Sequence, residues 1–155
     1  MKYLIYGVIF ALTLFKDGYS NEIDIKKIED NHNTYYKHLF ENDMDSLAKL
    51  FSFPSLFKGF VSDVQIAKNE ADIKIIYQNL IKAAPQSKFF SDGRNYTEIN
   101  TSVENKTIFK MREDTYLLIV KYTQSDKRDN SVIFSGSASY LFTKKDSKWL
   151  ISGVF

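Results

Sequence analysis

The stretch Tyr35-Tyr36-Lys37-His38-Leu39-Phe40-Glu41-Asn42-Asp43-Met44-Asp45-Ser46-Leu47 decides how the chain begins to fold. Around it, Tyr36, Leu39, Phe40, Met44, Leu47, Leu50 and Phe51 recur at three- and four-residue steps, the spacing of one apolar helix face. Glu41-Asn42-Asp43 interrupts that face. Asn tolerates the left-handed conformation that ends a helix, and Asp43 can cap a new one at Met44. The spacing predicts two consecutive helices, about 24–41 and 44–51, meeting at this corner. Phe53-Pro54 stops the second, because proline biases its predecessor away from helix.

Downstream, Ser55 to Val61 reads as a short apolar strand. Asn69 then caps a third helix, with Asp72 in the capping-box position. Ile73, Ile76, Tyr77, Leu80, Ile81 and Ala84 fit the helical template, and Pro85 ends it. Everything after Ser91 reads as strand. Tyr96–Met111 is expected as one long strand with a bulge near Asn105. Thr115–Thr123 places Tyr116, Leu118, Val120 and Tyr122 on one face, with Leu117 and Ile119 beginning the other. Val132, Phe134, Gly136, Ala138, Tyr140 and Phe142 alternate with Ser135, Ser137 and Ser139, and Trp149, Ile151 and Gly153 form a last short strand. Short turns at Arg112–Asp114, Ser125–Asn130 and Lys144–Ser147 imply an antiparallel meander. Phe40, Leu47, Ile73, Tyr77 and Tyr116 are expected in one core between helices and sheet.

Composition agrees with a single domain. The chain has 155 residues, 44% hydrophobic and 26% charged, with only two Pro and six Gly. Thirteen Phe, ten Tyr and one Trp supply ample area for one core. A net charge of +2 gives no field to attract nucleic acid, so none is expected as a partner. Zero Cys excludes thiol catalysis, disulfides and thiolate metal sites.

The N-terminal segment has the grammar of a secretory signal. Met1-Lys2 precedes an apolar run, Tyr3 to Phe15, too short for a comfortable membrane span. Gly18-Tyr19-Ser20 puts small residues where a signal peptidase reads, so residues 1–20 are expected as signal peptide and 21–155 as the domain. The alternatives are an uncleaved anchor or a buried first helix. Cleavage implies a periplasmic or secreted protein with no stable membrane span afterwards.

Helix, corner, helix, short strand, helix and four antiparallel strands resembles the nuclear transport factor 2-like superfamily, which includes ketosteroid isomerase and SnoaL-like cyclases. The resemblance is carried by Tyr35-Tyr36 with Phe40-Glu41-Asn42-Asp43-Met44-Asp45-Ser46-Leu47, similar to the family's "NGD" corner but without the Gly. Pro54 with Phe57 and Gly59 resembles the stretch that follows. Lys145-Asp146-Ser147-Lys148-Trp149-Leu150-Ile151 resembles the closing "DGxWxI" strand, with Ser and an extra spacing residue in the turn. The resemblance covers most of 30–155. It implies an α+β cone, three N-terminal helices packed on a strongly curved, mostly antiparallel sheet, often with a pocket. It also implies a homodimer through the outer sheet face.

The family's isomerases set an acidic base opposite an oxyanion hole of Tyr and a protonated acid, which requires a carboxylate buried in an apolar pocket. The acids of the sheet half lie in turns or beside polar neighbours: Asp92, Glu98, Glu104, Glu113, Asp114, Asp126, Asp129 and Asp146. No catalytic residue is assigned, no cofactor is expected, and the enzyme question stays open with binding favoured over turnover. His38, beside Leu39-Phe40, is a candidate to look into the cone, against the plainer reading of a partly exposed helix histidine. His32 and His38, six apart, make no metal site. Tyr36, His38, Phe53, Phe57, Tyr77, Tyr140 and Trp149 are the candidate ligand-binding set, since Tyr and Trp join apolar area to a polar atom. Three functions follow: a non-catalytic exported domain binding a small apolar ligand or a protein partner; a SnoaL-like isomerase, cyclase or dehydratase; or a structural subunit using its outer sheet face.

Overall fold

A computed structural model describes residues 22–58, 63–83 and 99–155. Helix α1 runs through 22–40, followed by α2 (Met44–Ala48), strand β1 (Phe51–Phe57), β2 (Gln65–Ala67) and α3 (Glu70–Ala83). Four strands follow, β3 (Ile99–Arg112), β4 (Thr115–Asp126), β5 (Val132–Lys145) and β6 (Lys148–Val154). They form one six-stranded sheet in the order β2-β1-β6-β5-β4-β3. Every pairing is antiparallel except β1 with β6. The result is an α+β fold, helices against a curved and mostly antiparallel sheet.

The corner after α1 is built as its residues dictate. Asn42 has φ 57°, in the left-handed region. The Asp43 N–H donates to the His38 carbonyl at 2.9 Å and the Asn42 N–H to that of Leu39 at 3.2 Å. Those two bonds close a Schellman motif with Asn in place of the usual Gly. Asp43 then caps α2, its carboxylate accepting the Ser46 N–H at 3.1 Å. At α3 the Asn69 side chain accepts the Asp72 N–H at 3.1 Å, and Asp72 in turn accepts the N–H of Lys68. The reach is one residue beyond the usual capping box. Pro85, expected to end α3, and Tyr96–Glu98 lie outside the described residues. Within β3 the pairing shifts between Val103 and Asn105, the bulge the sequence predicts.

Three expectations are corrected here. First, α2 ends at Ala48, and Phe51 belongs to β1, not to a helix face. Second, the strand begins at Phe51 and runs through Phe53-Pro54, whose peptide bond is cis, so this pair does not stop a helix. The ladder accommodates proline, which lacks an N–H, because the β1–β6 register shifts between Phe51 and Leu56. There the Ser52 hydroxyl donates to the Ile151 carbonyl at 3.4 Å, and the Ser55 hydroxyl, which donates to the Ser52 carbonyl, lies 3.3 Å from the same Ile151 oxygen. Third, Phe40 is 37% exposed and is no core residue. Leu47, Ile73, Tyr77 and Tyr116 do share one buried core. From α1 that core takes Ile28, Tyr35 and Leu39, with Ile25 against them. Including the buried His32, the steps are 3, 4, 3 and 4, one continuous helix stripe rotated from the predicted one.

Candidate functional site

The concave face of the sheet holds Tyr116, Leu118 and Val120 of β4, Tyr140 and Phe142 of β5, and Trp149, Ile151 and Val154 of β6, all buried. Helix α1 lies against them through its buried stripe, and its polar residues fasten it at its start and its middle. Asp24 accepts the Trp149 indole N–H at 2.9 Å, and Lys144 stands 3.3 Å from the same carboxylate oxygen. Asn31 donates to the Trp149 carbonyl at 2.7 Å, and Lys106 donates to Asn33 at 2.8 Å.

Four tyrosines and one histidine meet inside. The Tyr36 and Tyr140 hydroxyls are 3.0 Å apart, as are those of Tyr35 and Tyr77. Burial, reinforced by Tyr35 and Tyr36, pushes the Tyr140 phenol well above its ordinary value. His32 stands edge-on to Tyr36 and Tyr140, with ring centroids 4.9 and 4.7 Å away, and is 0% exposed. Neither of its ring nitrogens has a hydrogen-bond partner among the described residues. Burial, with the nearby Lys106 ammonium, lowers its pKa to about 3. The imidazole is therefore neutral throughout the ordinary pH range.

Among the described residues, a small cavity opens beside these tyrosines. It measures about 60 Å³ and lies between α1, α3 and the sheet, with Tyr36, Tyr140, Leu80, Thr101, Tyr122 and Gln124 among its walls. That is room for a few waters, where pockets for organic ligands take roughly 300–1,000 Å³. Outside the cone a wider groove of about 540 Å³ runs between α2 and α3. Its walls mix polar residues with Met44 and Ile81, and the Lys74–Asp45 ion pair spans them.

Of the candidate ligand-binding set, the structure brings Tyr36 and Tyr140 together at the cavity. Phe57 and Tyr77 lie in the core, with Phe53 packed against it. Trp149 is buried under the N-terminal part of α1. His38 faces Asp43 at the helix corner, 3.4 Å away and without hydrogen-bond geometry. The imidazole inside the cone is His32, which the sequence reading passed over. Its place in the stripe Ile28, His32, Tyr35, Leu39 was the available signal.

Among the described residues, Asp126 is the buried acid. Expected as an ordinary turn residue, it is 1% exposed at the end of β4. Arg128 of its own hairpin holds both carboxylate oxygens, and the Arg128 backbone N–H donates to it as well. Glu104 lies on an exposed part of β3 and accepts from the Thr123 hydroxyl. Among the described residues no group of three His, Asp or Glu is placed to hold a metal, and no helix is long and apolar enough to cross a membrane.

Comparison with known proteins finds neither a matching family model nor a matching curated protein. Solved structures do match. A nuclear transport factor 2-like protein with a cystatin-like fold from Novosphingobium aromaticivorans superposes with TM-score 0.57 at 14% identity, over 83% of this chain and 77% of that one. The chain has the nuclear transport factor 2-like fold. A "Putative Scytalone Dehydratase" from the same organism shares this fold, with TM-score 0.62 at 15% identity, over 86% and 83% of the two chains. So does the association domain of CaMKII from C. elegans, with TM-score 0.60 at 13% identity, over 87% and 95%. One fold thus carries a protein named for a reaction and another named for assembly.

Proposed function

We propose that this is an exported, non-catalytic domain of the nuclear transport factor 2-like fold that pairs with a second copy of itself through the outer face of its sheet. The carrying observation is a contrast in filling. The cavity that the described residues leave between α1, α3 and the sheet is about 60 Å³, while the outer face leaves large apolar side chains uncovered. Phe109, Leu117 and Leu141 stand directly opposite one another across three strands, and Gly153 continues the row. Phe109 is 48% exposed. Leu56 of β1 lies opposite Gly153, whose missing side chain leaves room for the Phe155 ring.

A two-fold pair needs a surface complementary to itself, which an uncharged apolar row satisfies and a patch of one charge does not. The fold's use in an association domain supports pairing as its role here. The small cavity favours a protein partner over a small apolar ligand. Export rests on the basic start and the apolar run Tyr3–Phe15. Sedimentation of the chain without residues 1–20 tests the pairing. The expected result is a dimer that Phe109→Asp converts to a folded monomer; a monomeric wild type at tens of micromolar overturns it.

A second reading, a dehydratase-type reaction in the cone, is favoured by one observation. Neutral His32 beside the Tyr36–Tyr140 hydroxyl pair is an acid–base inventory, and one structural neighbour is named for such an activity. It requires the cone to admit a guest several times larger than the cavity. It predicts that phenol perturbs the His32 ring resonances, and no perturbation up to the solubility limit discards it.

A further inference from the structure

The residue that the pairing surface leaves unexplained is His32. Buried polar groups are nearly always hydrogen-bonded, and one left unpaired costs free energy. Here a whole imidazole is packed as though it were apolar, on the helix that closes the cone. We propose that His32 makes the seating of α1 acid-sensitive, so that protonation of its ring releases α1 from the concave face of the sheet and opens the cone.

The argument is one of surroundings. From α1 itself the ring meets Tyr35 and Tyr36, from β5 it meets Tyr140, and from β3 the charge that acts on it is Lys106. An imidazolium needs acceptors for two N–H groups, and neither nitrogen has one in this arrangement. The nearby charge has the wrong sign: the Lys106 ammonium is held by Asn33, the residue next to His32. The carboxylates nearest in sequence, Glu29 and Asp30, do not offset it, and Asp24 is already engaged by Trp149 and Lys144 at the start of the helix. A proton on His32 is thus tolerated only where water reaches the ring, which means with α1 displaced. The low pKa agrees in direction, since the seated helix holds the neutral form.

The protein carries its own reporter. Trp149 is the single tryptophan, and both its indole N–H and its carbonyl are bonded to α1, at Asp24 and Asn31. Acidification from pH 7 to 3 is expected to move Trp149 emission to longer wavelength. Amides of 22–40 should lose hydrogen-exchange protection at a higher pH than those of β4 and β5. His32→Phe, which fills the site without a titratable ring, should abolish the shift above pH 4. A shift that persists above pH 4 in His32→Phe overturns the proposal. So does loss of protection from α1, β4 and β5 in one step, because the acid response is then unfolding of the whole domain.

Discussion

The two faces of this sheet are drawn from the same strands, in alternate residues, and they are finished differently. On β4, Tyr116, Leu118 and Val120 point under the helices and are buried, while Leu117 and Ile119 between them point outward and are only half-buried. Five apolar residues in succession are the pattern of a strand covered on both sides, whereas an antiparallel strand facing water on one side alternates. Strand β5 alternates through its middle, with exposed Ser135 and Ser137 on the outside between apolar Val132 at its start and Leu141 further on. The outer face is therefore divided into an apolar row and a serine row. Formation of the inner core does not require that division, whereas the pairing proposed above would.

The comparison breaks first, and most heavily, at the inner face. Leu47 of α2 is fully buried in the core, and Leu47→Ala should cost about 2–5 kcal/mol in urea unfolding. A loss under about 0.5 kcal/mol would mean that α2 does not seal the core. Acid attacks the same face. Folding lowers the His32 pKa from 6.5 to about 3, so the unfolded chain binds the proton first. Stability from this group is complete above pH 6.5 and falls as pH drops, by about 1.4 kcal/mol per pH unit until the folded value is reached. Urea unfolding at pH 7, 6, 5 and 4 should show that slope as the difference between wild type and His32→Phe. Parallel curves would remove His32 from the account. A smaller effect lies at the cavity wall, where Tyr36→Phe removes the bond to Tyr140. About 0.5–1.5 kcal/mol is expected, and a double-mutant cycle with Tyr140→Phe isolates the pair.

Much of this fold is legible in the chain because its local chemistry is unambiguous. Asn42 and Asp43 fix the helix corner, Asn69 starts α3, and the period-two runs of β4 and β5 place their faces. What the sequence hides is whatever depends on neighbours distant along the chain. Pro54 reads locally as a helix stop, yet β6 supplies a carbonyl that the Ser52 hydroxyl can take. Phe40 reads as core, but the twist of α1 onto the sheet turns Leu39 inward and leaves Phe40 stacked on Tyr36 at the surface. The site is less legible for the same reason. Tyr36 and Tyr140 are 104 residues apart in sequence, and His32, being polar, drops out of any search for an apolar stripe.

The smallest expected effect is also the sharpest test of the divided outer face. Ser137 is exposed on β5, directly opposite Lys121 of β4 and outside the row formed by Phe109, Leu117 and Leu141. Ser137→Asp adds a charge at a surface position with an opposite charge across the strand pair. The change in monomer stability should stay within about 0.5 kcal/mol, with the cross-strand pair offsetting the poorer strand propensity of Asp. If pairing uses the apolar row alone, self-association of Ser137→Asp should match wild type within about twofold, a difference of roughly 0.4 kcal/mol. If pairing spreads over the serine row, two carboxylates near the two-fold axis would face each other with little water between them. Association would then fall as steeply as for Phe109→Asp. Sedimentation of both variants at one concentration separates the cases, and an equal loss would show that the serines are part of the contact rather than its solvated margin.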